Sequence, residues 1–265
     1  MACSVRTQVF PSLLESPIRF ILILVAIVAI VVFANITMRN LNVSAINIEI
    51  EYGGKDELIE KADVAKMLQS KFGDISKKKR KEIKSEEIEE YLVQSNFISA
   101  ANVYLTLGGD LKLEIIQSNP IVRICTSNGY QFYIDTNKQV CKLKKGRAAN
   151  VIVASGELQG QPKLKEAIDS VSHPIFNDVY KIVELIDQDE VLRNQIDQIY
   201  YSKKDKFQLL PKVGDYVILL GGIDSLEDKL KKLHYLYKDG FVKHGWDNYS
   251  FVDLTFNNQV VCTRK

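Results

Sequence analysis

The sequence predicts an α+β protein in which one membrane-spanning helix precedes two folded units. Residues 20–38 carry no charge over nineteen positions, and a helix of that length measures about 28 Å, close to the roughly 30 Å hydrocarbon core of a bilayer. Residues 43–117 show strands and helices in the order β-α-α-β-β, and a second series of strands and helices follows Asn119 and Pro120. We therefore expect a mixed β-sheet body with flanking helices beside the membrane.

The apolar run favours an uncleaved anchor over a cleaved signal peptide. Small residues near Ala34 would suit a signal peptidase, but the run continues past them to Met38, and signal sequences have apolar regions of only about 7 to 15 residues. The run also has no polar face, which excludes an amphipathic surface helix. The residues that we expect in lipid are Phe20, Ile21, Leu22, Ile23, Leu24, Val25, Ile27, Val28, Ile30, Val31, Val32 and Phe33.

The flanking charges predict the orientation of this helix. Arg6 and Arg19 precede the run and are opposed only by Glu15, whereas the other side begins with Arg39 and soon reaches Glu49. Basic flanks remain on the cytoplasmic side of a membrane. We expect residues 1–19 to be a cytoplasmic tail, residues 20–38 to span the membrane, and the body to be extracytoplasmic.

Composition narrows the possible functions. The net charge is only +2, from 35 basic and 33 acidic residues, so no overall field attracts nucleic acid. The four cysteines show no disulfide spacing: Cys3 lies on the tail side, and Cys125, Cys141 and Cys262 fall in strand-like apolar runs. We expect free thiols, with a Cys125–Cys141 bridge as the alternative if their strands are neighbours.

Residues 41–118 have the size and element order of a POTRA module. An alternating strand over 43–52 leads into a helical pattern over 56–72, which Gly73 ends. Ser85 begins a second helix, and two alternating runs, 101–107 and 111–116, predict a hairpin.

A run of five basic residues occupies positions 77–81, between the two predicted helices. Such a run can contact nucleic acid or lipid headgroups. Runs of charge between helices are more often solvated loops, and a solvated loop is the prediction that we make here.

Residues 119–265 are expected to form the β-domain. Alternation and turn residues predict strands at 121–125, 130–134, 139–143, 151–154, 198–201, 206–210 and 216–220, helices at 163–172 and 176–186, and a terminal hairpin of 249–256 and 259–263 about Asn257 and Asn258. Ser225 begins a further helix whose apolar stripe contains Leu226, Leu230, Leu233 and Tyr237.

These elements resemble those of the FtsQ/DivIB family of bacterial cell-division proteins. The resemblance extends over nearly the whole chain and rests on the order and spacing of weak motifs: Asn119-Pro120-Ile121-Val122, Tyr133-Ile134-Asp135, Leu209-Leu210-Pro211, Val213-Gly214 and Val252-Asp253-Leu254-Thr255-Phe256. One departure is the turn after Asp135, where the family often has glycine and this chain has Asn137-Lys138.

The resemblance implies a non-enzymatic scaffold of the bacterial inner membrane, located at the division septum. Such proteins bind small single-span coiled-coil partners of the FtsB and FtsL type, other divisome components and the lipid bilayer, and they regulate septal peptidoglycan synthesis. No cofactor, metal, nucleic acid or small-molecule substrate is implied.

By position, the family's docking site falls on the terminal hairpin, where a partner segment could add as a further strand. The residues that we expect to bind the partner are Tyr249, Ser250, Phe251, Leu254, Thr255, Phe256, Gln259, Val260, Val261 and Cys262. The alternative is a hairpin that only packs, with Val252, Leu254 and Phe256 facing the core.

Catalytic motifs are absent from the sequence. His173, His234 and His244 have no metal-ligand spacing, and His234, among lysines, is expected to be solvated. Paired carboxylates of a glycan hydrolase cannot be read from sequence because their geometry is three-dimensional. Besides the scaffold, an anchored envelope hydrolase and a POTRA-bearing factor of protein export or envelope assembly therefore stay open.

Overall fold

The computed structural model describes residues 17–54, 56–142, 147–169, 171–245 and 248–265. Helix α1, Pro17–Asn40, contains the whole predicted span. Its large apolar side chains from Phe20 to Phe33 are between 51% and 72% exposed, so the protein itself does not cover them. Within the described residues, one helix, Phe20–Asn40, is long and apolar enough to cross a membrane. The tail residues Cys3, Arg6 and Glu15 lie outside the described ranges.

A three-stranded sheet follows the helix and confirms the β-α-α-β-β order. Its elements are β1 Ile46–Glu51, α2 Lys61–Phe72, two 3-10 turns at Ile75–Lys77 and Arg80–Glu82, α3 Ser85–Val93, β2 Ile98–Leu105 and β3 Leu111–Gln117. The strand order is β1-β3-β2, with β1 parallel and β2 antiparallel to β3. Apolar residues of both helices, β2 and β3 form one buried cluster, and the partly buried Ile48 and Ile50 of β1 pack against it.

The helix predicted at 56–72 starts later, at Lys61. The Gln117 side chain explains the difference, because its Oε1 accepts hydrogen bonds from the backbone nitrogens of Leu58 and Ile59 at 2.7 and 3.1 Å. Its Nε2 donates to the Asp56 carbonyl. A buried amide thus satisfies the extended backbone before α2, and a helical periodicity in the sequence does not reveal this tertiary contact.

A nine-stranded mixed sheet forms the rest of the body, in the order β12-β11-β10-β9-β8-β7-β4-β5-β6. Its strands are β4 Pro120–Cys125, β5 Gln131–Asp135, β6 Val140–Lys142, β7 Ile152–Gly156, β8 Ile196–Ser202, β9 Lys206–Pro211, β10 Val217–Gly221, β11 Tyr249–Asp253 and β12 Val261–Arg264. The β4–β7, β7–β8 and β10–β11 pairs are parallel. The helices are α4 Pro174–Gln188, α5 Glu190–Gln195, α6 Leu226–Tyr235 and α7 Phe241–His244, with a π-helical turn at Leu236–Gly240 between the last two.

The helix that begins after Ser225 was placed correctly. Its predicted stripe of Leu226, Leu230, Leu233 and Tyr237 is buried in the same apolar cluster as α4 and the central strands. Because β10 and β11 are parallel, the chain must cross over between them, and α6 and α7 make that crossover.

The helix predicted at 163–172 was wrong. Lys165 has a positive φ of 62°, which a helix does not allow. Its backbone nitrogen donates to the Val140 carbonyl, and the nitrogen of Val140 donates to the Glu166 carbonyl. The segment therefore lies along β6 as an irregular cover; Ser170 is outside the described residues.

Strand ends also differ from the predictions. β6 ends at Lys142, and Leu143, the last residue of the predicted strand, lies outside the described residues. The short helix α5 was not predicted. The terminal hairpin has shorter strands than expected, because β11 ends at Asp253 and β12 begins at Val261.

Cys125, Cys141 and Cys262 are free thiols. Cys125 lies on β4 and Cys141 on β6, with β5 between them. Two strand spacings separate their backbones by about 9.5 Å, beyond the roughly 7 Å limit for a disulfide. This geometry rules out the alternative bridge.

The two sheets share a small apolar cluster. Phe97 and Leu58 from the first unit pack with Tyr133 and Cys141 from the second, and all four are buried. The Phe97 and Tyr133 rings lie 6.0 Å apart between centroids. At the edge of this cluster Arg147 forms ion pairs with Glu60 and Asp63.

Candidate partner-binding edge

The two ends of the nine-stranded sheet differ in how their edges are covered. At one end, β6 exchanges backbone hydrogen bonds with the segment around Lys165, and the nitrogen of Ile168 donates to the Lys138 carbonyl. At the other end, β12 has β11 as its only neighbour in the sheet formed by the described residues. Uncovered strand edges present unpaired N–H and C=O groups, and folded proteins usually protect them. The β12 edge is therefore the candidate docking surface.

The predicted partner-binding residues fall in three places. Tyr249, Ser250 and Phe251 are in β11, and Val261 and Cys262 are in β12. The others, Leu254, Thr255, Phe256, Gln259 and Val260, lie in the segment 254–260 that connects the strands. We call this segment the 254–260 connection. The interpretation of residues 249–256 and 259–263 as one tight hairpin is corrected accordingly.

Side-chain exposure separates these residues further. Leu254 is fully buried, and its backbone nitrogen donates to the Leu219 carbonyl of β10, so its side chain belongs to the core. Phe256 and Val261 are 46% and 39% exposed. In the packing alternative, Val252 and Leu254 were placed correctly in the core and Phe256 was placed wrongly. Val261 is in the edge strand itself and Phe256 is in the connection that leads to it, and these exposed apolar side chains could contact an added strand.

Lys232 fixes the 254–260 connection, a role that was not predicted from the sequence. From helix α6 its ammonium group donates to three backbone carbonyls, those of Leu254 at 3.0 Å, Phe256 at 2.6 Å and Gln259 at 3.4 Å. In the sequence it is one of several lysines on an amphipathic helix. No local signal distinguishes it, because its three acceptors come together only in the folded chain.

The comparisons with known proteins give the family. Residues 119–263 match the model described as FtsQ/DivIB, C-terminal related, and residues 42–116 match the POTRA-like domain model. The chain belongs to the FtsQ/DivIB family. No curated protein matches the chain. FtsQ/DivIB domains indicate a cell-division scaffold that interacts with divisome proteins, and helix α1 is consistent with a single-pass membrane protein.

In this FtsQ/DivIB chain one edge of the POTRA-like sheet, strand β2, is partly occupied. The Glu89 side chain accepts a 2.6 Å hydrogen bond from the backbone nitrogen of Val103, in the middle of edge strand β2. The Lys165 ammonium donates to the Ile98 carbonyl at the start of the same strand. Strand addition at β2 would have to displace both side chains, which makes β12 the more accessible edge.

Asp135, from the FtsQ/DivIB-like Tyr133-Ile134-Asp135 motif, is structural. Its buried Oδ1 accepts hydrogen bonds from the backbone nitrogens of Asn137 and Gln139, both at 2.9 Å. Burial raises the pKa of this carboxyl above its ordinary value, although both backbone bonds and Lys165 oppose the shift. The side chain thus closes the turn for which the family often uses glycine.

Glu114, on strand β3 of the POTRA-like sheet, does not show the property of a general acid. Hydrogen bonds from Lys112, Tyr104 and Asn102 lower the pKa of Glu114. A glycan hydrolase needs a carboxyl whose pKa is raised. Glu114 therefore gives the hydrolase alternative no support.

The prediction of a solvated His234 was wrong. Its Nδ1 lies 2.6 Å from the Asp189 Oδ2, and both side chains are about one quarter exposed. The pair links helix α6 to the start of α5. Among the residues that the structure describes, no group of three or more His, Cys, Asp or Glu residues is arranged to hold a metal ion.

Proposed function

We propose that this FtsQ/DivIB family member is a non-enzymatic divisome scaffold that docks small single-span coiled-coil proteins of the FtsB and FtsL type. Docking takes place by strand addition to β12, and through these partners the protein helps to control septal peptidoglycan synthesis. The chain sits in the bacterial inner membrane at the septum. Residues 1–19 are cytoplasmic, residues 20–38 span the membrane, and the POTRA domain, 41–118, and the β-domain, 119–265, are extracytoplasmic.

The observation that carries this proposal is the uncovered β12 edge beside the exposed Phe256 and Val261. Main-chain hydrogen bonds would supply affinity in such a complex, and alternate side chains would supply specificity. Because the β6 edge is covered and the β2 edge is occupied, β12 is more accessible to an added strand than either of these two edges.

The test is co-purification of the full-length, tagged chain with a co-expressed coiled-coil partner. Val261→Glu introduces a carboxylate into the edge strand. An added strand would remove this charge from water, which is unfavourable. We expect at least a tenfold loss of affinity, equivalent to about 1.4 kcal/mol. Val261 already has 39% of its surface in water, so the variant should remain folded.

Val171→Glu is the matched control. Val171 is 88% exposed and follows the segment that covers β6, at the opposite end of the sheet. This variant should bind the partner normally. Equal binding by both variants would refute the β12 site. Capture of export or assembly factors in place of coiled-coil proteins, or peptidoglycan cleavage by the purified chain, would refute the scaffold itself.

A further inference from the structure

The basic run at 77–81 lies against the end of the membrane helix, although 37 residues separate Asn40 from Lys78 in sequence. The Arg80 nitrogen donates to the Leu41 carbonyl at 2.9 Å, and the nitrogen of Val43 donates to the Lys78 carbonyl at 3.1 Å. Between these bonds, Asn42 and Lys79 form an antiparallel bridge. The first residues after the helix thus pair directly with the basic run.

The Arg80 side chain strengthens this junction. Its Nη1 lies 3.7 Å from the Met38 sulfur in the last turn of α1, and its Nη2 donates to the Gly108 carbonyl at 3.0 Å. Gly109 leaves room for the guanidinium, since a Cβ there would lie 1.7 Å from Nη2. The polar headgroup layer on each side of a bilayer is about 5 to 8 Å thick. A guanidinium beside Met38 therefore lies at the depth of the headgroups.

Most of the positive charge of residues 77–84 is not neutralised by acidic side chains. Residues 77–84 contain six basic side chains and one acidic side chain, Glu82. Lys77 pairs with Asp74, and Lys84 pairs with Glu87. In the part of the chain that the structure describes, no ion pair neutralises Lys78, Lys79 or Lys81, and the last two are exposed.

We propose that Lys78, Lys79 and Lys81 bind the anionic phospholipid headgroups of the membrane that α1 crosses, and so hold the POTRA-like domain against the bilayer. Basic side chains at a membrane surface interact with anionic lipid only within about one Debye length, roughly 8 Å at physiological ionic strength. The junction with the helix end places the run within that distance. The contact is independent of partner docking at β12.

Position argues for lipid as the occupant rather than a soluble polyanion. The backbone bonds of Lys78 and Arg80 to the residues after α1 keep the run beside the membrane whether or not another protein is present. Helix α1 and its flanking Arg39 add to the same surface.

The experiment uses the full-length chain in nanodiscs of phosphatidylcholine, with or without 30% phosphatidylglycerol. Acetylation rates of individual lysines are read by mass spectrometry. Lys77, the first residue of the run, and Lys84, which follows it, serve as reporters, since both remain in every variant. We expect both to react about fivefold more slowly in the anionic nanodiscs, the effect of roughly one basic contact, and 0.5 M NaCl should abolish the difference.

Two variants test the assignment. Lys78→Gln, Lys79→Gln and Lys81→Gln together should abolish the lipid dependence at the reporters. The matched control, Lys203→Gln, Lys204→Gln and Lys231→Gln, removes three exposed charges from the nine-stranded unit and should preserve it.

Three outcomes would overturn the proposal. The first is equal reactivity of the reporters in both kinds of nanodisc. The second is a lipid effect that survives in the 78/79/81 variant. The third is equal protection by soluble glycerol phosphate in phosphatidylcholine nanodiscs, because that result would indicate a site for free phosphate rather than a membrane contact.

Discussion

Cys141 and Asp135 form a buried polar pair next to the cluster that joins the two sheets. The Cys141 sulfur lies 3.7 Å from the Asp135 Oδ2, and burial together with this carboxylate raises the pKa of the thiol from 9.0 to about 11. A thiol whose pKa is higher in the folded state favours folding in its protonated form. That contribution is complete below pH 9 and is lost as the pH rises through 11.

We therefore expect an alkaline loss of stability that depends on Cys141. Between pH 8.5 and 11 the free energy of unfolding should fall by about 2 to 3 kcal/mol more in the parent protein than in Cys141→Ala. Urea denaturation at several pH values measures this difference. Cys125→Ala is the control and should keep the parental pH dependence; parallel curves for parent and Cys141→Ala would contradict the prediction.

At the scale of single elements, helix α6 determines the shape of the candidate docking edge. It contributes Lys232, which holds three carbonyls of the 254–260 connection, and this connection sets where β12 begins. Hydrogen bonds to charged groups contribute about 1.5 to 3 kcal/mol. The position of the edge therefore depends on a helix that need not touch the partner.

Lys232→Met should loosen the 254–260 connection. We expect a loss of about 1 to 2 kcal/mol in the free energy of unfolding, because three backbone carbonyls lose the charged donor that they share. Hydrogen exchange should accelerate at residues 261–264. The control is Lys231→Met, whose parent side chain is exposed. Unchanged exchange in β12 of the Lys232 variant would show that the connection is held by other contacts.

The sequence predicted elements well where local pattern and tertiary structure agree. Strand β1, the helix that begins at Ser85 and the buried stripe of α6 all follow ordinary periodicity. The predictions failed where distant groups decide the backbone. Gln117 holds residues 58 and 59 out of helix α2, and β6 holds Lys165 in a conformation that no helix allows.

The candidate site likewise has some features that could be predicted from the sequence and others that depend on tertiary contacts. Its place on the terminal strands came from the family resemblance, and the mixed sheet then places β12 at an edge. The exposure of Phe256 and the burial of Leu254 depend on where β11 ends, which local patterns define poorly. The anchoring role of Lys232 and the pairing of His234 with Asp189 require contacts between distant elements.

At the scale of the whole molecule, the cluster of Leu58, Phe97, Tyr133 and Cys141 joins the two sheets. Aromatic pairs contribute about 0.5 to 1.5 kcal/mol beyond the area that they bury. We expect a double-mutant cycle of Phe97→Ala and Tyr133→Ala to show a coupling energy of at least about 0.5 kcal/mol, measured by urea denaturation.

The control cycle combines Tyr133→Ala with Phe72→Ala. Phe72 packs on Tyr91 within the first unit, at 5.5 Å between ring centroids. These two changes should add within about 0.3 to 0.5 kcal/mol. Additivity in the Phe97 cycle as well would mean that the shared cluster does not couple the two sheets.

The junction of Arg80 with Met38, Leu41 and Gly108 has a consequence for how any membrane-bound partner meets this protein. Because the folded units are tied to the end of helix α1, they cannot tumble freely. The distance between strand β12 and the lipid surface therefore varies little. In the proposed docking, a partner anchored in the same bilayer would search in two dimensions, at a raised effective concentration. Strand addition that would be weak between freely diffusing molecules can become sufficient under that confinement.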